Sequence, residues 1–204
     1  MKKETYVVTI QRQFGSMGRP VARSMSEKLG IEFYDRDLVD QAAQKLNLPV
    51  SRVRENEETG EKKGRNPFWQ MLLPLGSESP DEQDKIFEAQ KNIIQFLAEK
   101  ESCIIVGRCS DFILHEMKNA MHIYIYAPFE VRVRNSVEQL GLSEDEARRM
   151  CVEVDKARDS YQMRYAGCLL DDKRTKNLLI DSSLFGVEGT AEFLVEAVKR
   201  RFRL

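Results

Sequence analysis

Short apolar runs alternate along this chain with longer segments of helical period, and that alternation restricts it to few folds. The runs are Tyr6-Val7-Val8-Thr9-Ile10, Ile31-Glu32-Phe33-Tyr34, Cys103-Ile104-Ile105-Val106, His122-Ile123-Tyr124-Ile125-Tyr126 and Leu178-Leu179-Ile180. β-Branched and aromatic residues dominate them. Their near-continuous apolarity predicts strands buried on both faces, as in a parallel sheet. Between them Val21, Met25 and Leu29 recur every fourth residue, and Ile86, Ile93, Ile94 and Leu97 mark a second helical face. Ala191, Leu194, Val198 and Phe202 give a final amphipathic helix. Strand–helix alternation predicts an α/β fold, an open parallel sheet covered by helices. Ligands on such sheets bind beyond the carboxyl ends of the strands, so the residues just after each strand carry the functional signal.

The 204 residues suit one domain, 1–204, with enough core to need no disulfide or metal staple. A net charge of −1 removes the electrostatic case for a dedicated nucleic-acid binder. No apolar run approaches the roughly 20 residues that span a bilayer, so no membrane partner is expected. Met1-Lys2-Lys3-Glu4-Thr5 leads into the first strand without a signal-peptide core. Cys103, Cys109, Cys151 and Cys168 form no C-x-x-C pair or zinc pattern. They read as structural thiols of a reducing, cytoplasmic compartment.

One stretch breaks the rhythm. From about Glu55 to Asp81 the chain is rich in charge, Gly and Pro, interrupted by the apolar Phe68-Trp69-Gln70-Met71-Leu72-Leu73. A loop of that length inside a compact domain is either functional or an ordinary surface insertion.

After the first strand the chain runs Arg12-Gln13-Phe14-Gly15-Ser16-Met17-Gly18-Arg19-Pro20 into a helix. Glycines at a strand-to-helix turn let backbone N–H groups wrap an anion, and the helix N-terminus adds roughly half a positive charge. Gly15, Ser16, Met17, Gly18 and Arg19 are the candidate phosphate-binding residues. Pro20 suits a first helical turn. Against the full phosphate-loop pattern G-x-x-x-x-G-K-S/T, Gln13 replaces the first glycine, Arg19 the lysine, and Pro20 the magnesium-bound hydroxyl. Arginine still clamps phosphate, and does so bidentately.

Charged groups follow the later strands. Asp35, Arg36 and Asp37 come after the second. Asp35 is the candidate to orient a hydroxyl, accept its proton or hold magnesium through water, and Asp37 the candidate helix cap. Gly107-Arg108 after the third strand sets a guanidinium beside a phosphate bound at the turn. Ser143 and Glu146 form a capping box that opens a helix with Ala147, Met150, Cys151, Val154, Tyr161 and Tyr165 on one face. Arg158 falls near the middle of that face, either snorkelling or reaching into a cleft. Lys156 and Arg164 flank it, and Arg174 follows. The basic run Lys199-Arg200-Arg201 complements the dipole of the last helix.

Taken together, Thr9 to Arg19, Phe33-Tyr34-Asp35-Arg36-Asp37-Leu38, Ile105-Val106-Gly107-Arg108, Asp155-Lys156-Ala157-Arg158-Asp159 with Arg164, and Leu178 to Ser182 resemble the cytidylate kinase-like family of nucleoside monophosphate kinases. The resemblance implies a three-layer P-loop kinase fold with a five-stranded parallel sheet in the order 2-3-1-4-5. It implies a monophosphate-binding insertion at about 55–100 and a lid at about 143–175. It further implies ATP as phosphoryl donor, CMP or dCMP as acceptor, and Mg2+ held through phosphates and water rather than by a protein metal site. Carried over by position, Gly15 to Arg19 would hold the donor, Arg108 would meet the acceptor phosphate beside Asp35 and Arg36, and Arg158 and Arg164 would close from the lid. The chain departs from the family pattern in lacking an acid before Gly107, a part that Asp35 or Asp37 could take. A kinase of another small hydroxyl metabolite, and a nucleotide-binding protein with little turnover, are the competing readings.

Overall fold

A computed structural model describes residues 5–35 and 80–204 of the chain. Arg36, Asp37 and segment 55–79, which includes the apolar island 68–73, lie outside the described residues. The elements run β1 (Val7–Arg12), α1 (Gly18–Leu29), β2 (Glu32–Tyr34), α2 (Pro80–Lys100), β3 (Cys103–Val106), α3 (Ser110–Ile113) and β4 (Ala120–Tyr126). They continue α4 (Phe129–Leu140), α5 (Glu144–Ala166), a 3₁₀ turn (Lys173–Thr175), β5 (Leu178–Asp181) and α6 (Gly186–Phe202).

The five strands form one parallel sheet in the order β2-β3-β1-β4-β5. The central β1 is flanked by β3 and β4, pairing Val8 with Ile104 on one side and Met121 on the other. Three strands run further than their apolar cores, β5 by one residue to Asp181, which pairs with Tyr126. β1 continues to Arg12 because that backbone pairs with Ile125, and β4 starts at Ala120, which pairs with Val7. Ladder pairing, which apolarity does not report, sets all three ends.

Helices cover both faces. On one, α1 and α6 pack Val21, Met25, Leu194 and Val198 onto Val8, Ile10, Ile104 and Ile123, all fully buried. Each such side chain contributes about 1.5–3 kcal/mol of transfer free energy. On the other, Ile94 and Ala98 of α2 cover Val7, Cys103 and Ile105. A third cluster joins Phe14 of the β1–α1 turn to Val133 of α4 and to Ala147, Met150, Cys151 and Val154 of α5. The apolar face read from the sequence of α5 is therefore buried along its first half. Its Ser143–Glu146 capping box is present, and Gly167 ends it in the left-handed conformation. Among the described residues no helix is long and apolar enough to cross a membrane.

Candidate active site

The β1–α1 turn is built for close approach. Gly15 has φ of 74°, and a β-carbon there would lie 2.5 Å from the Arg132 carbonyl oxygen. A β-carbon on Gly18 would lie 2.7 Å from that of Arg12. Met17 takes the left-handed conformation at the N-cap of α1, where no side chain caps the helix and no acidic residue occupies the first turn. A helix start without a carboxylate or hydroxyl cap leaves its N–H groups to an external anion.

Side chains behind the turn hold its shape. Gln13, standing where the usual pattern has glycine, donates its N–H to the Ile125 carbonyl (3.1 Å) and accepts from the Ala127 N–H (3.2 Å). This stitching to the end of β4 is a use for a side chain at that position. Ser16 is fully buried, its hydroxyl 2.9 Å from the Gln13 carbonyl. The part of Ser16 left for a ligand is its backbone. The Ser182 hydroxyl donates to the Ser16 carbonyl (2.6 Å), and Asn135 donates to that of Gly15 (2.9 Å).

Four arginines meet at the carboxyl ends of β1 and β3. Arg12, on the last residue of β1, is set among Arg158, Arg108 and Arg19. Burial, followed by the repulsion of those three in that order, pushes its guanidinium well below its usual range, against the opposing pull of Asp35. Arg19 pairs with Asp35, whose side chain is 5% exposed against 54% for Arg19. Arg108 follows Gly107 in the left-handed conformation, φ 58°. Arg158 reaches down from α5 and donates to the Arg12 carbonyl at 3.1 Å. It is 17% exposed, and burial lowers its pKa while Asp155 opposes the shift. Arg158 thus turns inward onto the end of β1 rather than out to solvent.

Arg164 is engaged by Asp84 of α2 at 2.8 Å, with the Tyr165 hydroxyl on the same carboxylate oxygen at 3.0 Å. Phe87 of α2 stacks on Tyr165 at 4.0 Å and meets Tyr161 edge-on at 6.4 Å. Those two tyrosines, read from the sequence as part of the apolar face, therefore pack α5 onto α2. Arg174 is 83% exposed and pairs with Asp172 at 2.5 Å.

Arg12 and Asp155 carry weight that their sequence positions do not signal. In the sequence Arg12 opens the turn with no candidate role in binding. Asp155 accepts the Phe14 N–H at 2.7 Å and Arg132 at 2.6 Å, tying α5 to the turn. Burial nonetheless raises its pKa, outweighing those two partners and Arg158. The one signal in the sequence was helical spacing: Asp155 and Arg158 lie three residues apart, on the same side of α5.

Phosphate oxygens match this donor set: glycines that admit backbone contact, an uncapped helix start and convergent guanidinium groups. For Mg2+ the fit is through the ligand. Among the described residues no three His, Cys, Asp or Glu side chains cluster to hold a metal; Asp35, paired with Arg19, and Asp155, on the Phe14 N–H, are carboxylates beside the turn.

A 2-3-1-4-5 parallel sheet with a glycine-bearing turn after its central strand is the fold of the P-loop kinases, a class of phosphotransferases. Residues 7–184 match the Cytidylate kinase-like family, and the chain belongs to it. The cytidylate kinase of Archaeoglobus fulgidus is 27% identical over 198 residues, covering 94% of each chain. That of Sulfolobus acidocaldarius is 21% identical over 188 residues, covering 92% of this chain and 91% of the relative. A crystal structure of a protein from Eubacterium ventriosum shares the fold at a TM-score of 0.70 and 23% identity, covering 96% and 99% of the two chains.

Proposed function

We propose that this protein is a nucleoside monophosphate kinase that transfers the γ-phosphoryl group of ATP to CMP or dCMP. The observation that carries the reading is the meeting of Arg12, Arg19, Arg108 and Arg158 beside the uncapped start of α1. That many cations suit two phosphate-bearing ligands better than one, and their mutual repulsion falls when anions arrive. The choice of cytosine rests on the cytidylate kinases to which the chain is similar.

In this reading Gly15 to Arg19 hold the donor's terminal phosphates through backbone N–H groups and the Arg19 guanidinium. Arg108 receives the acceptor phosphate, with Asp35 at its side. One oxygen of that phosphate forms the new bond to the γ-phosphorus as the bond to the β–γ bridging oxygen breaks, releasing ADP. A monophosphate has its second pKa near 6 and is largely dianionic at neutral pH, so the attack needs no general base. This agrees with Asp35 being engaged by Arg19 rather than free to take a proton. Arg158, at the Arg12 carbonyl between the two halves, neutralises charge developing on the transferred group. The region of about 143–175 is the lid-type segment in this reading, and within it the Arg164 side chain joins when it leaves Asp84. Mg2+, held by phosphate oxygens and water with Asp35 near, would supply further charge neutralisation.

The test is coupled ADP release over the common nucleoside monophosphates and a set of small hydroxy metabolites. Turnover led by CMP or dCMP supports the proposal. Turnover with a hydroxy metabolite alone overturns it, and tight ATP binding without turnover identifies a nucleotide-binding protein.

A further inference from the structure

Beneath the arginine cluster lies a second polar group that no ligand can reach. Asp111 of α3 is fully buried, as is Lys176, which donates to its Oδ2 at 2.6 Å. Gln11 of β1 donates to Oδ1 at 2.8 Å. Gln162 of α5 lies against both oxygens, at 3.2 and 3.1 Å. Lys176 also reaches the Thr175 hydroxyl at 2.8 Å. One carboxylate thus joins the end of β1, the start of α3, the second half of α5 and the segment entering β5.

Each neighbour leads to the site. Gln11 precedes Arg12, Asp111 follows Arg108 by three residues, and Gln162 lies one turn beyond Arg158 on the same side of α5. Desolvating an ion pair commonly costs more than its attraction returns, and the best-attested use of a retained pair is to set register. The paired charges cancel, so the carboxylate does not compete with phosphate for the guanidinium groups above. We infer that Asp111 is a positioning residue, which through Gln162 holds α5 at the height where Arg158 meets the Arg12 carbonyl. The catalytic part of this inference rests on the proposed kinase activity; the positioning part does not.

Gln162→Met tests it, since methionine keeps the length and helix preference of glutamine and leaves the Asp111–Lys176 pair intact. Hydrogen exchange should quicken over residues 158–166 and stay unchanged over 144–154. With a working acceptor, kcat should fall on the order of 10- to 100-fold with KM for ATP within about twofold, as expected for a misplaced transition-state contact. Gln162→Glu sets a second carboxylate against Asp111 and should show the same local quickening of exchange and the same loss of kcat. Parental exchange and kcat in Gln162→Met overturn the inference. So does a uniform loss of melting temperature with kcat per folded molecule retained. Should no acceptor turn over in the parent protein, the functional proposal fails while the exchange pattern still decides the positioning.

Discussion

The guanidinium of Arg12 lies against the backbone of Gly107: a β-carbon added to that glycine would sit 2.6 Å from Arg12 Nη1. The end of β3 must therefore be bare for the cation of β1 to lie there. Arg12→Ala should weaken ATP binding at least tenfold, about 1.4 kcal/mol, in a calorimetric titration. Its melting temperature should hold or rise, because a buried cation repelled by three others is relieved. A large fall in melting temperature with ATP affinity intact would show that Arg12 serves the fold.

Arg158→Ala separates chemistry from packing. Its contacts are one hydrogen bond to the Arg12 carbonyl, worth about 0.5–1.5 kcal/mol, and a long ion pair with Asp155 at 3.9 Å, so stability should change little. The rate should fall on the order of 10²–10³, as for other preorganised charge donors, with ATP affinity nearly kept. Steady-state kinetics and a thermal melt on the same sample decide it. A destabilised, fully active variant would exclude a role in transfer.

Two glycines with similar φ should behave differently. Gly30 has φ of 64°, and a β-carbon added there would have nothing within 4 Å, so Gly30→Ala meets only backbone strain, about 1–2 kcal/mol. Gly15→Ala adds a collision with the Arg132 carbonyl and the Ser136 hydroxyl, and should cost about 2–4 kcal/mol in urea unfolding. It should also lose ATP affinity, which Gly30→Ala should keep.

His122 makes stability fall with acid. It is buried in β4 with its Nδ1 2.8 Å from the Thr9 hydroxyl. Burial lowers its pKa from 6.5, helped by Lys176 and His115 and opposed by Asp111. The unfolded chain therefore takes up the proton first as pH falls through 6.5, and stability declines from there to the lower folded pKa. Melting temperature should drop between about pH 7 and 5, and His122→Gln should flatten that slope. An unchanged slope would assign it to other groups.

Much of this fold was legible in the sequence. The strand cores, the faces of α1, α2 and α6, and the Ser143–Glu146 box are written in apolar period and capping chemistry. These depend on residues a few positions apart. The β1–α1 turn was legible for the same reason: Gly15 and Gly18 bracket it locally, and its place after a central strand follows from the alternation. Arg158 stood out as a charge on an apolar helical face.

The partnerships were not legible. Gln11 and Asp111 are 100 positions apart, Phe14 and Asp155 are 141, and Arg164 and Asp84 are 80. Nothing in the sequence around Arg12 distinguishes a spacer from the centre of a cationic cluster. Periodicity states which side of an element is apolar, but not the height at which one element meets the next. Charges interact through distance and burial, and both arise only when parallel strands bring the ends of β1 and β3 together under α5. By itself the sequence determined the sheet, the turn and the residue types available to it. The tertiary structure decided which arginines converge, which carboxylates restrain them, and that Asp111 and Lys176 lie buried beneath.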